Sequence, residues 1–262
     1  MTQFASNNHQ KELLGIEADQ ICVDYNGTVA LYDASLKLSG GSICGLVGMN
    51  GAGKSTFFKA LMGFVRPSRG KIRINGVSVG SAQRDQAVAY VPQSDGVDCS
   101  FPVSVWDVVM MGRYGSMNLL RIPRESDKRA VSHSLERVDL LDLRHRPIGA
   151  LSGGQRKRAF LARAIAQRAS VLLLDEPFSG VDIRTEKLMA DLFLQFRREG
   201  RTILVSTHDL GHVRDFCDLV VLINKTVLAY GKTSEVFTAE NLTMTFGGLP
   251  PNLLKGPIAS DQ

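Results

Sequence analysis

Short apolar runs alternate with amphipathic segments along much of the chain. Residues 42–48, 171–174 and 202–206 are almost continuous apolar or β-branched stretches, each as long as a strand. Between the last two, residues 185–198 carry apolar side chains at helical spacing. Strands that are buried on both faces lack the polar alternation of a half-exposed sheet. The order therefore predicts an α/β fold in which helices cover a parallel sheet.

Two further segments show other patterns. In residues 16–37 short β-branched and aromatic runs flank Asn26-Gly27, and residues 71–76 end in a second Asn-Gly pair, so both are predicted to form antiparallel hairpins. Residues 94–147 are helical in pattern and predict an inserted helical lobe. The remaining predicted elements are helices at 55–62 and 156–167, a hairpin at 219–230 and a loose tail from Gly247.

Composition excludes several classes of protein. The chain has 262 residues, of which 44% are hydrophobic and 22% charged, with 31 Lys and Arg against 26 Asp and Glu. These values are those of an ordinary globular protein, and collagen-like, mucin-like and disordered chains are excluded. The sequence pI is about 9.1, but basic and acidic residues are interleaved and aromatic residues make up 7%. We therefore expect no nucleic acid partner.

The cysteines and the N-terminal region bear on location. Cys22, Cys44, Cys99 and Cys217 are far apart and form no C-x-x-C motif, so we expect reduced thiols in a cytosolic protein. Residues 1–20 lack the basic and apolar regions of a signal peptide, and no stretch approaches the roughly 18 apolar residues of a spanning helix. The sequence predicts neither secretion nor a membrane span.

The first chemical motif is G-x-x-x-x-G-K-S at Gly48–Ser55. Its glycines allow successive backbone N–H groups to point into one concavity at a helix N-terminus, which favours anion binding. Lys54 supplies a cation for the β- and γ-phosphates, and the Ser55 hydroxyl is suited to Mg²⁺. A chance glycine turn is the alternative, but the predicted strand before the motif and the predicted helix after it are the context that a phosphate loop requires.

A pair of carboxylates follows the apolar run at 171–174. Asp175 and Glu176 are predicted to lie at the carboxyl edge of the parallel sheet, beside the phosphate loop if the two strands are neighbours. Asp175 is suited to Mg²⁺, and Glu176 to orienting and deprotonating an attacking water. The alternative is an acidic strand end before the turn at Pro177, which is disfavoured because a phosphate loop precedes it.

Residues 151–155 have the sequence LSGGQ and open the predicted helix at 156–167. Ser152 is a natural N-cap, and the two glycines expose N–H groups at this helix N-terminus. Taken alone, the segment would be interpreted only as a capped helix. The basic run Arg156–Arg158 that follows is expected to be a solvated helix face, with phosphate steering as the alternative.

Together these motifs resemble the nucleotide-binding subunit of an ABC transporter. The resemblance rests on GMNGAGKS, LSGGQ, LLLDEP and STHD in this order, with Gln93 between the first two. It implies a P-loop NTPase (RecA-like) core with an antiparallel β subdomain and an inserted helical subdomain. The expected domain bounds are a flexible N-terminus at 1–15, an ATPase domain at 16–240 with its core at 16–93 and 156–240 and its helical subdomain at 94–155, and a tail at 241–262.

The family resemblance also implies a head-to-tail homodimer with two bound ATP molecules and Mg²⁺. Each ATP would lie between the phosphate loop of one subunit and the LSGGQ segment of the other. The implied ATP contacts are Tyr25, Gly48, Met49, Asn50, Gly51, Ala52, Gly53, Lys54, Ser55 and Thr56, with Tyr32 as an alternative to Tyr25 for adenine stacking. The implied contacts with the partner's ATP are Leu151, Ser152, Gly153, Gly154 and Gln155. The implied catalytic residues are Glu176, His208 and Gln93, and Asp182 is the implied dimer contact. The implied magnesium ligands are Ser55, Gln93 and Asp175.

Four short segments narrow the resemblance to the manganese, zinc and iron uptake branch of the family. They are residues 59–64, 97–102, 111–114 and 178–182. The branch implies an ATPase on the cytoplasmic side of the cell membrane that works with two permease subunits and, indirectly, an extracytoplasmic metal-binding protein. Manganese is the preferred cargo, with zinc or chelated iron as alternatives.

A soluble, non-transport ABC ATPase is the alternative of another class. Such proteins usually carry long coiled coils between the motifs or two modules in tandem. This sequence has neither feature, because Lys54 and Ser152 are 98 residues apart and each motif occurs once. His133 and His145, which have no second ligand at metal spacing, are expected at the surface.

Overall fold

The computed structural model describes residues 14–93 and 102–248. In this part of the chain a hairpin precedes a series of alternating strands and helices. The strands are β1 (Leu14–Tyr25), β2 (Thr28–Ser39), β3 (Ile43–Val47), β4 (Arg69–Ile74), β5 (Val77–Ser78), β6 (Val88–Val91), β7 (Val171–Asp175), β8 (Thr202–Thr207), β9 (Leu219–Asn224) and β10 (Thr226–Lys232). The helices are α1 (Lys54–Leu61), α2 (Val79–Arg84), α3 (Val105–Met110), α4 (Glu125–Arg137), α5 (Gly153–Gln167), α6 (Ile183–Arg198), α7 (Leu210–Phe216), α8 (Thr233–Val236) and α9 (Ala239–Phe246), with 3₁₀ turns at Met111–Ser116, Leu141–Leu143 and Ile148–Ala150.

The central sheet has the strand order β10-β9-β3-β8-β7-β6. All its pairings are parallel except the antiparallel pairing of β9 with β10 at one edge. Every residue of β3 and β8 is buried, which explains why these strands show no polar alternation. The predicted parallel α/β core is confirmed. β3 and β7 are not neighbours, however, because β8 lies between them, so their carboxyl ends are roughly 10 Å apart along the same edge.

A second, antiparallel sheet with the order β2-β1-β4-β5 confirms the predicted N-terminal hairpins. Asn26 and Gly27 join β1 to β2 with φ of 51° and 85°, and both values lie in the left-handed region that a two-residue hairpin turn requires. Asn75 and Gly76 repeat this geometry between β4 and β5, with φ of 51° and 78°. The sheet packs on α1 through a shared apolar cluster, which positions the loop that precedes that helix.

Helices α3 and α4 lie in the helical lobe that the sequence predicts, and they pack against α5. Val105 and Val109 of α3, and Val131 and Leu135 of α4, are fully buried in one cluster with the apolar face of α5. The expected boundary between residues 155 and 156 falls inside α5, so a single helix joins the lobe to the core. The first part of the predicted lobe, residues 94–101, lies outside the described residues.

The ordered fold extends beyond both ends of the predicted ATPase domain. β1 begins at Leu14, before the expected start at residue 16. At the other end the expected tail from residue 241 begins inside α9, where Leu242 and Thr245 are buried. The expected tail is therefore wrong for residues 241–246, because Leu242 belongs to the apolar cluster of the core. Residues 1–13 and 249–262 lie outside the described residues.

Three of the four cysteines lie in the described part of the chain. Within the described residues Cys22, Cys44 and Cys217 are free thiols, whereas Cys99 falls in a stretch that is not described. No helix in residues 14–93 or 102–248 combines the length and the apolar character needed to cross a bilayer.

Candidate active site

The Gly48–Ser55 motif forms the loop after β3 and continues into the first turn of α1, as the sequence predicts. Two of its glycines are required by close backbone approaches. A Cβ atom on Gly53, whose φ is 96°, would lie 2.8 Å from the carbonyl oxygen of Ala30, and one on Gly48 would collide with the carbonyl oxygen of Ile223. The loop therefore fits between the β subdomain and the central sheet with its backbone bare, a shape suited to phosphate.

Lys54 is the first residue of α1 and is almost completely buried. Its Nζ donates hydrogen bonds to the carbonyl oxygens of Gly48 at 2.6 Å and Met49 at 3.0 Å. Burial lowers the pKa of the Lys54 ammonium, and the nearby Glu176 and Asp175 carboxylates partly offset that effect. The cation is thus held inside the loop and faces the acidic strand end.

A cavity of about 250 Å³ joins the loop to the other motifs. Its lining residues are Ala30, Met49, Asn50, Gly51, Gly53, Lys54, Ser55, Thr56, Gln93, Asp175 and Glu176. The structure therefore brings most of the predicted ATP contacts, the predicted magnesium ligands and two predicted catalytic residues to one place. A larger cavity of about 630 Å³ lies between the antiparallel sheet and Tyr230, and no predicted site residue lines it.

Asp175 ends β7 and is held by two hydroxyl groups. Ser206 Oγ donates to Oδ1, and Tyr90 Oη donates to Oδ2 at 3.1 Å. Burial, together with the charge of Asp175, raises the pKa of Tyr90 well above its ordinary value, so the phenol remains a donor. Sequence reasoning missed both partners. The signal for Ser206 is its register position opposite Asp175 in the neighbouring strand, which requires the strand order to be known.

Glu176 lies one residue beyond β7 in a left-handed backbone conformation, with φ of 46°. Its N–H lies within hydrogen-bonding range of Ser206 O at 3.1 Å and Ser206 Oγ at 3.2 Å. Its carboxylate contacts His208 Nδ1 through Oε1 at 3.0 Å, and Oε2 accepts a hydrogen bond from Gln93 Nε2 at 3.4 Å. The three residues predicted to be catalytic thus meet, although each follows a different strand of the central sheet.

The LSGGQ segment caps α5 at a different place from the loop cavity. Ser152 Oγ accepts from Gln155 N at 3.3 Å, and Gln155 Oε1 accepts from Ser152 N at 3.0 Å. This reciprocal capping box confirms the predicted N-cap. A Cβ atom on Gly153 would meet nothing within 4 Å, so this helix end is open on the outside. None of residues 151–155 lines the cavity beside the phosphate loop.

Asp182, the predicted dimer contact, is the N-cap of α6. Its carboxylate accepts hydrogen bonds from Thr185 N at 2.9 Å and from Thr185 Oγ1 at 2.8 Å, and these bonds lower the pKa of Asp182. A Cβ atom on Gly154 would lie 3.6 Å from Asp182 Oδ2, so the LSGGQ segment and Asp182 are adjacent. The two motifs therefore share one surface of the molecule.

Tyr25 and Tyr32 are both exposed on the first hairpin, at 43% and 49% of their surface. Neither lines the loop cavity, whereas Ala30 of the same hairpin does. The structure therefore leaves adenine stacking by Tyr25, with Tyr32 as its alternative, as a prediction. His133 and His145 are exposed, as expected.

The expectation of a solvated basic face at Arg156–Arg158 is wrong. Lys157 is 3% exposed, and its Nζ donates to the main-chain oxygens of Glu176 at 3.0 Å and Ser179. Arg158 Nη1 donates to the carbonyl oxygen of Val138 at 2.7 Å. The reason is tertiary: α5 is covered by the helical lobe on one side and by the segment after β7 on the other.

The sequence comparisons agree with this geometry. Residues 31–179, more than half of the chain, match the family model described as ABC transporter. The chain belongs to the ABC transporter family. Its activity is accordingly that of an ATP-hydrolysing transport subunit, and its fold is that of the P-loop ATPases.

Two bacterial relatives are similar over nearly the whole chain. The "Manganese transport system ATP-binding protein MntA" of Synechocystis is 60% identical over 238 residues, which cover 90% of this chain and 92% of the relative. The "Chelated iron transport system membrane protein YfeB" of Yersinia pestis is 57% identical and covers 88% of this chain and 78% of the relative.

Two solved structures have the same fold. One is an ABC transporter in an inward-facing conformation, with a TM-score of 0.79 and 30% identity, covering 90% of this chain and 89% of that chain. The other is cbiO1 from Clostridium perfringens, part of the ABC transporter complex cbiONQ, with a TM-score of 0.74 and 28% identity, covering 89% and 94%.

Proposed function

We propose that this ABC ATPase drives the import of a divalent transition metal, with manganese as the preferred cargo. The manganese assignment is supported by the names of relatives, including MntA of Synechocystis and the MntB protein of Bacillus subtilis, which is 42% identical. YfeB of Yersinia pestis supports chelated iron as the alternative cargo. Zinc remains an alternative from the sequence resemblance. The ATPase would act at the cytoplasmic side of the membrane with two separate permease subunits and, indirectly, an extracytoplasmic metal-binding protein.

The residues around the loop cavity fit a magnesium nucleotide. The bare backbone of the loop and the buried Lys54 ammonium match phosphate oxygens, while the Ser55 hydroxyl, the Asp175 carboxylate and the Gln93 amide provide the oxygen ligands that Mg²⁺ prefers. Bound Mg²⁺ would neutralise charge that develops on the phosphates. In this proposal Tyr90 and Ser206 fix the orientation of Asp175 toward the cavity.

Glu176 is the proposed general base, and one observation carries this role. Its carboxylate reaches the cavity wall while His208 and Gln93 hold its two oxygens from either side. An ionised carboxylate held in this way accepts the proton of an attacking water as the oxygen approaches the γ-phosphate. His208 then stands beside the position where charge develops, and Gln93 connects the base to the start of the helical lobe.

The proposed assembly is a head-to-tail homodimer. It is supported by the separation of the LSGGQ segment from the loop cavity within one subunit, and by the open helix end at Gly153. A second copy brings its own Ser152-capped helix N-terminus to the nucleotide, where the N–H groups and the helix dipole favour phosphate. Asp182 lies next to Gly154 and would contact the partner in the same interface.

Metal uptake by cells of the organism that carries this protein tests which metal is imported. Cells that carry the wild-type chain or Lys54→Ala, with other carriers of the same metals deleted, receive labelled Mn²⁺, Zn²⁺ and Fe²⁺ in parallel. We expect Lys54→Ala to abolish Mn²⁺ uptake while the other two metals enter at the wild-type rate. Selective loss of iron or zinc uptake would replace manganese with that metal, and unchanged uptake of all three would refute metal import.

A further inference from the structure

A buried lysine joins the LSGGQ helix to the backbone of the proposed base. Lys157 lies on α5, in the first turn and a half after Ser152, and 3% of its surface is exposed. Its Nζ is 3.0 Å from the main-chain oxygen of Glu176 and also contacts that of Ser179. The ammonium therefore binds the segment between β7 and α6 at two points.

The segment that Lys157 binds needs external support. Glu176 adopts a left-handed φ of 46°, a conformation that is sterically unfavourable for a residue with a Cβ atom. On the amino side, its N–H lies 3.1 Å from Ser206 O. On the carboxyl side, its carbonyl oxygen accepts from Lys157. Because the side chain is attached at Cα, a displacement of the Glu176 main chain would also displace the carboxylate, whose Oε1 is held 3.0 Å from His208 Nδ1.

A lysine suits this role for a chemical reason. Its ammonium carries three N–H donors on a flexible stem, so it can serve two carbonyl oxygens at once from one position. Burying the charge is costly unless such partners are present. The next residue, Arg158, is a useful comparison because its contacts go to Val138 and Asp139, which follow α4, and not to the segment after β7. The two adjacent cations therefore bind different parts of the molecule.

We infer that Lys157 is a positioning residue for ATP hydrolysis. It holds the main chain of Glu176 so that the carboxylate keeps its place between His208 and Gln93, and it ties that place to the helix whose N-terminus carries LSGGQ. Small displacements of a catalytic group reduce rates by up to about 10²-fold. The inference rests on the proposed role of Glu176 as the base.

The first test compares Lys157→Met with the wild-type full-length chain in steady-state ATPase assays. Methionine keeps the length and the apolar packing of the stem but has no donor. We expect kcat to fall by about 10- to 100-fold while KM for ATP changes by less than about threefold. The reason is that Lys157 contacts the segment between β7 and α6, which carries Glu176, and does not line the loop cavity. Arg158→Met is the matched control: it removes a cation from the same helix, and we expect it to lower Tm with kcat reduced less than about threefold.

A double-mutant cycle separates positioning from a general loss of structure. If Lys157 acts through the Glu176 carboxylate, then Lys157→Met should cause no further loss of single-turnover hydrolysis in a Glu176→Gln background. ATP-dependent association of the double variant should also need the same ATP concentration as Glu176→Gln alone. Multiplied losses in the double variant, or a raised KM with unchanged kcat, would overturn the inference.

The outcomes distinguish this inference from the proposal on which it rests. If Glu176→Gln slows hydrolysis and Lys157→Met hydrolyses ATP at the wild-type kcat, only the role of Lys157 is refuted. If Glu176→Gln itself hydrolyses ATP at the wild-type rate, the base assignment fails and the inference about Lys157 fails with it.

Discussion

At the scale of single residues, Lys54 shows how the fold places a buried cation beside the loop cavity. It is buried in its own loop and donates to the carbonyl oxygens of Gly48 and Met49. Burial lowers the pKa of its ammonium, with Glu176 and Asp175 acting in the opposite direction. Phosphate oxygens are stronger acceptors than carbonyl oxygens because they carry charge, so a bound nucleotide would draw the ammonium toward the cavity.

The consequence is a prediction for Lys54→Ala. Losing the buried cation should weaken ATP binding by at least about tenfold, because a charge-assisted hydrogen bond contributes roughly 1.5–3 kcal/mol. Titration calorimetry with ATP measures the affinity. Lys59→Ala is the control, since Lys59 is exposed in the last turn of the same helix. Equal ATP affinity in Lys54→Ala and wild type would contradict the phosphate-loop assignment.

Tyr90 was not predicted from the sequence, and its role is equally specific. Tyr90→Phe removes the hydrogen bond to Asp175 but keeps the ring packed against Phe58, whose centroid is 6.2 Å away. We expect the Mg²⁺ concentration for half-maximal ATPase activity to rise by about 10-fold, in keeping with the loss of a group that orients a metal ligand.

A pH series of the same magnesium titration gives a second check on Tyr90. Burial and the Asp175 charge raise the pKa of the phenol, so in the wild type the hydrogen bond should persist from neutral pH past pH 10. The difference between wild type and Tyr90→Phe should therefore be constant over that interval. Identical Mg²⁺ titrations for the two proteins would show that Tyr90 does not orient Asp175.

Among the elements, α5 shows how local and tertiary features combine. Its N-terminus is determined by the Ser152–Gln155 capping box, which residues three positions apart specify without any help from the fold. Tertiary contacts determine how the helix packs, since Lys157 binds the carbonyl oxygen of Glu176 and Arg158 binds that of Val138. Helix α5 thus connects the LSGGQ surface, the helical lobe and the segment after β7 that carries Glu176.

Ser152→Ala tests whether the LSGGQ segment acts on the ATP that a partner subunit binds. The substitution removes the cap, which costs about 1 kcal/mol of helix stability, and it disturbs the helix end proposed to meet the partner's ATP. ATPase activity should fall, while the affinity of a single subunit for ATP should stay at the wild-type value because Ser152 does not line the loop cavity. A parallel loss of ATP affinity would contradict the assignment of LSGGQ to the partner's site.

The elements also show what a sequence can and cannot predict. Strands β3 and β8 are predictable because burial on both faces gives continuous apolar runs. Helix α6 is predictable because burial on one face gives apolar residues at helical spacing. Helix α9 falls partly within the predicted tail, because only Leu242 among its apolar residues belongs to the buried core and its local pattern is correspondingly weak.

In the candidate site, too, some residues are predictable from the sequence and others are not. Gln93, Glu176 and His208 were predicted from motifs, whereas Lys157, Tyr90 and Ser206 were missed. Their partners lie 19 or more residues away in the chain and become neighbours through strand order and helix packing. No local pattern in a single sequence carries that information.

At the scale of the whole molecule, each subunit of the proposed dimer would contribute halves of two different nucleotide sites. The loop cavity lies at the carboxyl edge of the central sheet, and the LSGGQ and Asp182 surface lies outside it. A site that needs both halves would require two copies of the chain, and in the proposed function their closure around ATP would give a movement that permease subunits could use. Lys157 would then connect the two half-sites within each subunit.

The most direct test of this account is the behaviour of Glu176→Gln with MgATP. Removing the proposed base but keeping the shape of its side chain should slow hydrolysis by about 10² or more. ATP should then accumulate in a closed dimer that contains two nucleotides, seen as a doubling of mass in light scattering and one ATP per chain. Glu240→Gln, an exposed glutamate on α9, is the control and should hydrolyse ATP normally. Hydrolysis by Glu176→Gln at the wild-type rate, or a species that stays monomeric with ATP bound, would contradict the account.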